Sequence, residues 1–257
     1  MIDNQIVLET KNLHKAFGGL IAVDDVSIQV KNRTMHAIIG PNGAGKTTLF
    51  NLLCGVLPPT GGKVFYRGKN ITNLPAQKIA HLGIGRSFQI TNIFANLTVM
   101  ENIRLAAQAM GKDNFKIMRH ADSFTSYINR AEEVIKEVGL SSREDMLACN
   151  LAHGEKRKLE LGIMIASKPD LLLFDEPTAG LSSEQVPELI EIINHLVKDR
   201  QRTAILVEHR MDMVMQVSDV ITVMSQGSVL AEGSPSEIAG NSEVQRAYLG
   251  DLYGELA

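Results

Sequence analysis

The chain has 257 residues, 44% of them hydrophobic, with 26 Lys+Arg against 29 Asp+Glu for a formal net charge of −3. These values are ordinary for a soluble globular protein of one large or two small domains. The near-even charge excludes a nucleic-acid binder that works through a broad basic surface. The longest apolar runs, such as residues 171–174 and 204–207, fall far short of the roughly 20 residues that span a bilayer. The start, MIDNQIVLETKN, has no basic cluster ahead of its apolar stretch and no small-residue cleavage site, so no secretory signal is expected. Two cysteines, Cys54 and Cys149, make neither a disulfide framework nor a zinc site, and a reducing cytosolic compartment is expected.

Strands are predicted over residues 6–9, 26–30 and 35–39, where β-branched residues stand between turn residues. Residues 40–48 read GPNGAGKTT and fit G-x-x-x-x-G-K-[ST] through Gly40, Gly45, Lys46 and Thr47. The preceding MHAII reads as a strand and the following TLFNLLCGV as a helix, which is the context a phosphate-binding loop requires. Glycines let backbone N–H groups approach phosphate oxygens, and the helix N-terminus adds a favourable dipole. Lys46 would reach the β- and γ-phosphates, and the Thr47 hydroxyl would ligate Mg²⁺.

Another strand is predicted over residues 63–66, after the turn Pro58-Pro59-Thr60-Gly61-Gly62. From about residue 97 to 140 the pattern becomes helical, with Ala131, Val134, Ile135 and Val138 at helical spacing. Strands and helices then alternate: strand 171–174, an amphipathic helix over 183–199, and strands 204–207 and 220–224. In that helix Leu189, Ile190, Ile193, Leu196 and Val197 share one face. Such alternation predicts a parallel sheet flanked by helices, here an α/β core with a helical insert. The strand LLLFDE ends in Asp175 and Glu176. Ligands gather at the carboxyl ends of parallel strands, so Asp175 would hold the Mg²⁺ hydration shell and Glu176 would activate the attacking water.

LAHGE at residues 151–155, Gln89 in GRSFQ and His209 in LVEH complete the ordered set. With both phosphate-site motifs, residues 5–250 resemble the nucleotide-binding subunit of an ATP-binding cassette (ABC) transporter. The resemblance implies an α/β P-loop ATPase core of ABC type with an N-terminal antiparallel β-subdomain and a helical subdomain. It implies a single ATPase domain over 1–257, with core 1–90 and 155–240, helical insert about 91–154 and C-terminal extension 241–257. ATP and Mg²⁺ are the implied cofactors. Phe17 would stack on adenine, and Gly40, Pro41, Asn42, Gly43, Ala44, Gly45, Lys46, Thr47 and Thr48 would hold the phosphates. Leu151, Ala152, His153, Gly154 and Glu155 correspond to the signature turn, usually LSGGQ, which caps ATP held by the opposite subunit. Gly154 is predicted to begin the helix EKRKLELGIMIA. Gln89 would sense Mg²⁺ and water and link to the membrane partner, and His209 would contact the γ-phosphate. The chain departs from the family at Ala152, where a serine is usual, and at Ser182, where aspartate is frequent.

The stretches NITNLPAQKIAHLGIGRSFQ, IFANLTVMENI and VQRAYLG are similar to ATPases of bacterial branched-chain amino-acid uptake systems, with a longer helical insert at about residues 107–130. Urea and short-amide importers share much of this pattern, and the lipopolysaccharide-export ATPase is a more distant relative. A soluble ABC ATPase without transport, or a small P-loop kinase, are the competing classes. The implied partners are integral membrane permease subunits, a second ATPase subunit as homo- or heterodimer, and indirectly an extracytoplasmic solute-binding protein, with no nucleic acid. The implied location is the cytoplasmic face of the inner or plasma membrane. Phe94, Leu97, Val99 and Met100 are candidates for a groove that receives a permease helix. Residues 155–158 are predicted to be the solvated face of the signature helix, with Arg157 a candidate for contacting nucleotide across the dimer. The eleven methionines read as core filler, and His14, His36, His81, His120 and His195 show no metal-ligand spacing.

Overall fold

A computed structural model describes residues 5–87, 93–109, 111, 125–199 and 202–247. Strands β1 (Ile6–Phe17), β2 (Leu20–Val26), β3 (Gln29–Lys31) and β4 (Met35–Ile39) lead to helix α1 (Lys46–Leu53), then to β5 (Gly61–Tyr66) and β6 (Lys69–Asn70). All of these strands except β4 form an antiparallel sheet ordered β2-β1-β5-β6, with β3 beside β1. Helix α2 (Ala76–His81) and strand β7 (Ile84–Arg86) follow, then helices α3 (Val99–Ala109), α4 (Thr125–Glu137) and α5 (His153–Ala166). The remainder alternates: β8 (Leu171–Asp175), α6 (Val186–Asn194), β9 (Thr203–Val207), α7 (Met211–Val217), β10 (Val220–Ser225), β11 (Ser228–Gly233) and α8 (Pro235–Ala239).

The second sheet runs β11-β10-β4-β9-β8-β7, parallel from β10 to β7 and closed by antiparallel β11. Its parallel strands are buried on both faces, and side chains alternate between two layers as the strand repeat demands. Leu172 and Phe174 of β8 and Ala204 and Leu206 of β9 face a cluster built from α3, α4, α5 and α6. Leu171, Leu173, Ile205 and Val207 face α1 and the antiparallel sheet. The helices of the insert therefore share their apolar core with the sheet. Phe50 and Phe174 are fully buried, and each such side chain contributes roughly 1.5–3 kcal/mol by leaving water.

Several elements differ from the sequence expectation. The strand predicted over 26–30 is interrupted. Thr10 Oγ1 accepts from Ile28 N at 3.0 Å and donates to Val26 O at 2.9 Å, so a side chain takes bonds that a strand ladder would use. Strand β1 runs on to Phe17 because β2, β3 and β5 all pair with it. The helix predicted over 183–199 begins at Val186 and widens into a π-helical turn over His195–Asp199; all five residues of its predicted apolar face are buried. Most of the insert at 107–130 lies outside the described residues. Among the described residues, no helix is long and apolar enough to cross a membrane.

Candidate nucleotide-binding site

The register places β4, β9, β8 and β7 side by side, so the segments leaving their carboxyl ends meet along one edge. Residues 40–45 leave β4 there and turn into α1. The turn needs glycine at two close approaches. Gly40 has φ +153°, and a Cβ would lie 2.2 Å from Met224 O; Gly45 has φ +95°, and a Cβ would lie 2.2 Å from Ala22 O. The loop is also clamped from outside, because Gly227 N donates to Ala44 O at 3.1 Å and Asp24 N donates to Gly227 O at 2.8 Å. Lys46 is buried, and its ammonium donates to Gly40 O at 2.6 Å and Pro41 O at 2.8 Å. The N–H groups of Thr47 and Thr48 lie in the first turn of α1, where no intrahelical acceptor is available, which makes this end an anion cradle. Phe17 ends β1 as a 47% exposed residue, with the Lys15 ammonium 5.0 Å from its ring centroid. The adjoining β2 touches Gly45 through Ala22, so this aromatic hairpin stands beside the loop.

Asp175 ends β8. Its N–H donates to Ser87 Oγ at 3.0 Å, and Arg86 Nη2 stands 3.8 Å from its carboxylate. Burial pushes the Asp175 carboxyl up to about 6; Arg86 and His209 oppose the rise and Glu176 adds to it. Both of its carboxylate oxygens are shielded, without a hydrogen-bond partner among the described residues. A buried carboxylate with unpartnered oxygens, at the end of a strand one strand removed from β4, which feeds the threonine-bearing loop, fits a hard divalent cation. Glu176 follows with φ +48°, and its carboxylate accepts from His209 Nε2–H at 2.6 Å. This pair joins the ends of β8 and β9.

The signature turn is organised differently from the expectation. Helix α5 begins at His153, one residue before Gly154. The Glu155 carboxylate accepts from Ala152 N at 2.9 Å and Arg143 Nε at 2.8 Å, and these bonds, Arg143 first, hold it below the usual carboxylate range. Leu151 is buried, while Ala152 and His153 are exposed. A Cβ on Gly180 would meet His153 Nε2 at 3.0 Å, and one on Gly154 would meet Gln185 Nε2 at 3.0 Å. The turn thus leans on residues 180–185. Residues 155–158 are not a solvated face: Arg157 is buried and turned inward, because it donates to Glu160 Oε2 at 2.8 Å and Ala179 O at 3.3 Å. Val99 is a core residue, whereas Phe94 is 60% exposed. Gln89 lies outside the described residues.

Sequence reasoning missed Glu208, Arg86, Ser87 and Gly227. Glu208 is buried and accepts from Thr178 N at 3.1 Å, from the Thr178 hydroxyl, and from His209 N at 2.8 Å. Its position directly before His209, at the end of an apolar strand, was the one available signal.

Residues 23–179 match the family described as ABC transporter. The chain belongs to that family. This ABC cassette also matches, over residues 228–252, a family described as Branched-chain amino acid ATP-binding cassette transporter. The cassette is 40% identical over 253 residues to the high-affinity branched-chain amino acid transport ATP-binding protein LivG of Salmonella typhimurium, covering 96% of this chain and 99% of the relative. It is 38% identical over 250 residues to the corresponding BraF of Pseudomonas aeruginosa, covering 95% and 98%. A nucleotide-free ATP-binding cassette from an ABC transporter superposes with TM-score 0.83 at 29% identity, covering 95% of this chain and 98% of that one. The ABC cassette is therefore a nucleotide-binding ATPase subunit whose hydrolysis is coupled to transport.

Proposed function

We propose that this chain powers the import of branched-chain amino acids, pairing with a second cassette around two Mg·ATP and driving permease subunits at the cytoplasmic face of the membrane. The solute assignment is supported by likeness to LivG and BraF over nearly the whole chain, together with the match at residues 228–252. An extracytoplasmic binding protein would deliver the solute. The observation that carries the chemistry is the Glu176–His209 hydrogen bond at the strand ends beside Asp175 and the phosphate loop.

In this reading Lys46 leaves the carbonyls of Gly40 and Pro41 for the β- and γ-phosphates, and the backbone N–H groups of residues 42–48 surround them. Phe17 stacks on the adenine. Asp175, Thr47 and Gln89 would hold Mg²⁺, which supplies charge neutralisation between the phosphates. Glu176 takes the proton of the attacking water, and His209 keeps that carboxylate aimed while contacting the γ-phosphate. Residues 151–155 cap the partner's ATP through the N-terminal N–H groups of α5. Ala152 offers no hydroxyl there, so backbone donors and His153 carry the contact. Permease docking falls to the apolar groove of about 210 Å³ lined by Cys54, Val56, Ile79, Ala80, Ile84 and Met164.

The test is ATP turnover of the complex reconstituted with its permeases and binding protein. Branched-chain amino acids should stimulate phosphate release, and stimulation by urea or short amides alone would replace the solute assignment. Glu176→Gln should bind ATP and dimerise but turn over at least about 100-fold more slowly, whereas Lys46→Ala should weaken ATP binding itself.

A further inference from the structure

Arg157 and Glu160 lie one turn apart on the inward side of α5, and Arg157 is only 9% exposed. Arg157 Nη1 donates to Glu160 Oε2 at 2.8 Å and Nη2 donates to Ala179 O at 3.3 Å. What remains is unusual: Arg157 Nε, Glu160 Oε1 and both Asp175 carboxylate oxygens are shielded from solvent, each without a hydrogen-bond partner among the described residues. Arg157, Glu160 and Asp175 line one cavity, which they share with Ser87, Pro177 and Leu189. Its volume is about 10 Å³, close to the space one water molecule needs, and a buried water requires two to four polar neighbours. Here they are one donor and several acceptors. A single water can accept from Arg157 Nε and donate to Glu160 Oε1 and to one Asp175 oxygen, leaving the other Asp175 oxygen for a further ligand.

We infer that this cavity holds a single water bridging Arg157 and Glu160 to the Asp175 carboxylate, and that Arg157 is a positioning residue tying the signature helix to the acid at the end of β8. The inference rests on the ATPase reading of Asp175. Among the described residues Arg157 pairs with Glu160 and forms no direct ion pair with Asp175. The same stretch of α5 is fastened to the segment after Asp175 at further points. Lys158 Nζ reaches Glu188 at 2.5 Å, His153 abuts Gly180, and Gly154 abuts Gln185. A displacement of Asp175 or of residues 176–180 therefore reaches the turn 151–155 through a guanidinium and one water, without passing through the phosphate loop. That links the state of the chain's own site to the surface with which it would cap its partner's ATP.

Two measurements on the full chain test this. A crystal structure of the Glu176→Gln protein, at a resolution that places ordered water, should show one water within hydrogen-bond distance of Arg157 Nε, Glu160 Oε1 and Asp175; a dry cavity overturns the inference. In the same Glu176→Gln background, Arg157→Lys retains a cation for Glu160 but loses the fork that also holds Ala179 and the water. ATP affinity of the monomer, read with a fluorescent analogue, should stay within about twofold, while ATP-driven dimerisation, read by light scattering, weakens about tenfold. Arg157→Met should behave likewise. Unchanged dimerisation overturns the positioning role, and so does a parallel loss of ATP affinity, which marks a merely structural defect. Failure of the Glu176→Gln parent to dimerise counts instead against the paired-cassette reading, and the crystallographic water then decides the cavity by itself.

Discussion

Glu208 is 3% exposed and accepts hydrogen bonds from Thr178 N and Oγ1, His209 N and Arg210 N. Those donors belong to two loops, one after β8 and one after β9, and the carboxylate fixes the separation that lets Glu176 meet His209. Glu208→Gln would turn an NH₂ group toward backbone donors, so a destabilisation of about 1–3 kcal/mol is expected. Turnover should fall more than ATP affinity does. Urea unfolding and phosphate release check the two effects, and a variant equal to the parent in both would show that the four bonds are dispensable. Thr178 lies 30 positions from Glu208. This is why the motif resemblance marked His209 but passed over its neighbour: a carboxylate's burial is decided by a loop remote in the chain. Arg157 was misjudged for the same reason, since its charge reads as solvated until α5 packs against residues 179–188.

The phosphate loop shows how an element depends on backbone room. Gly45→Ala forces a Cβ against Ala22 O at 2.2 Å, from a φ of +95° that alanine resists. The expected cost is on the order of 3 kcal/mol or more, with loss of ATP binding; thermal unfolding and nucleotide titration measure both, and a wild-type Tm would contradict the clamp. Elements buried on both faces were readable from sequence, because β4, β8, β9 and β10 are short apolar runs whose ends fall at polar residues. The phosphate loop was readable too, since glycine spacing is itself the geometric requirement. Strands β2, β7 and β11 were not. They are short or partly exposed, as Leu20 and Ile21 show, and their partners rather than their own pattern make them strands. The break at Ser27 was equally invisible, because it depends on the side chain of Thr10 in another strand.

At the scale of the whole molecule, His36 joins three strands of the larger sheet. Its Nε2 donates to Thr222 Oγ1 at 2.7 Å, and that hydroxyl donates to Glu232 Oε2 at 2.7 Å. Burial lowers the His36 pKa from 6.5 to about 4. Below pH 6.5 the unfolded chain therefore takes up a proton that the folded chain refuses. The contribution to stability is complete above about pH 6.5 and declines toward pH 4, by up to roughly 3 kcal/mol. Urea unfolding across that range should show this slope, and His36→Gln should flatten it; an unaltered slope would assign the acid sensitivity to other groups.

The clamp on the phosphate loop carries one more consequence, about timing. Gly227 closes on Ala44, and Asp219 closes on Met35 from 184 positions away. During synthesis the glycine loop leaves the ribosome early, yet its framework arrives only when most of the chain has followed. Nascent chains halted before residue 227 would thus carry the complete phosphate motif without a rigid site to bind nucleotide. ATP is thus expected to act as a ligand for the finished fold, and ribosome-stalled chains ending before residue 227 should retain far less of a fluorescent ATP analogue than the complete chain.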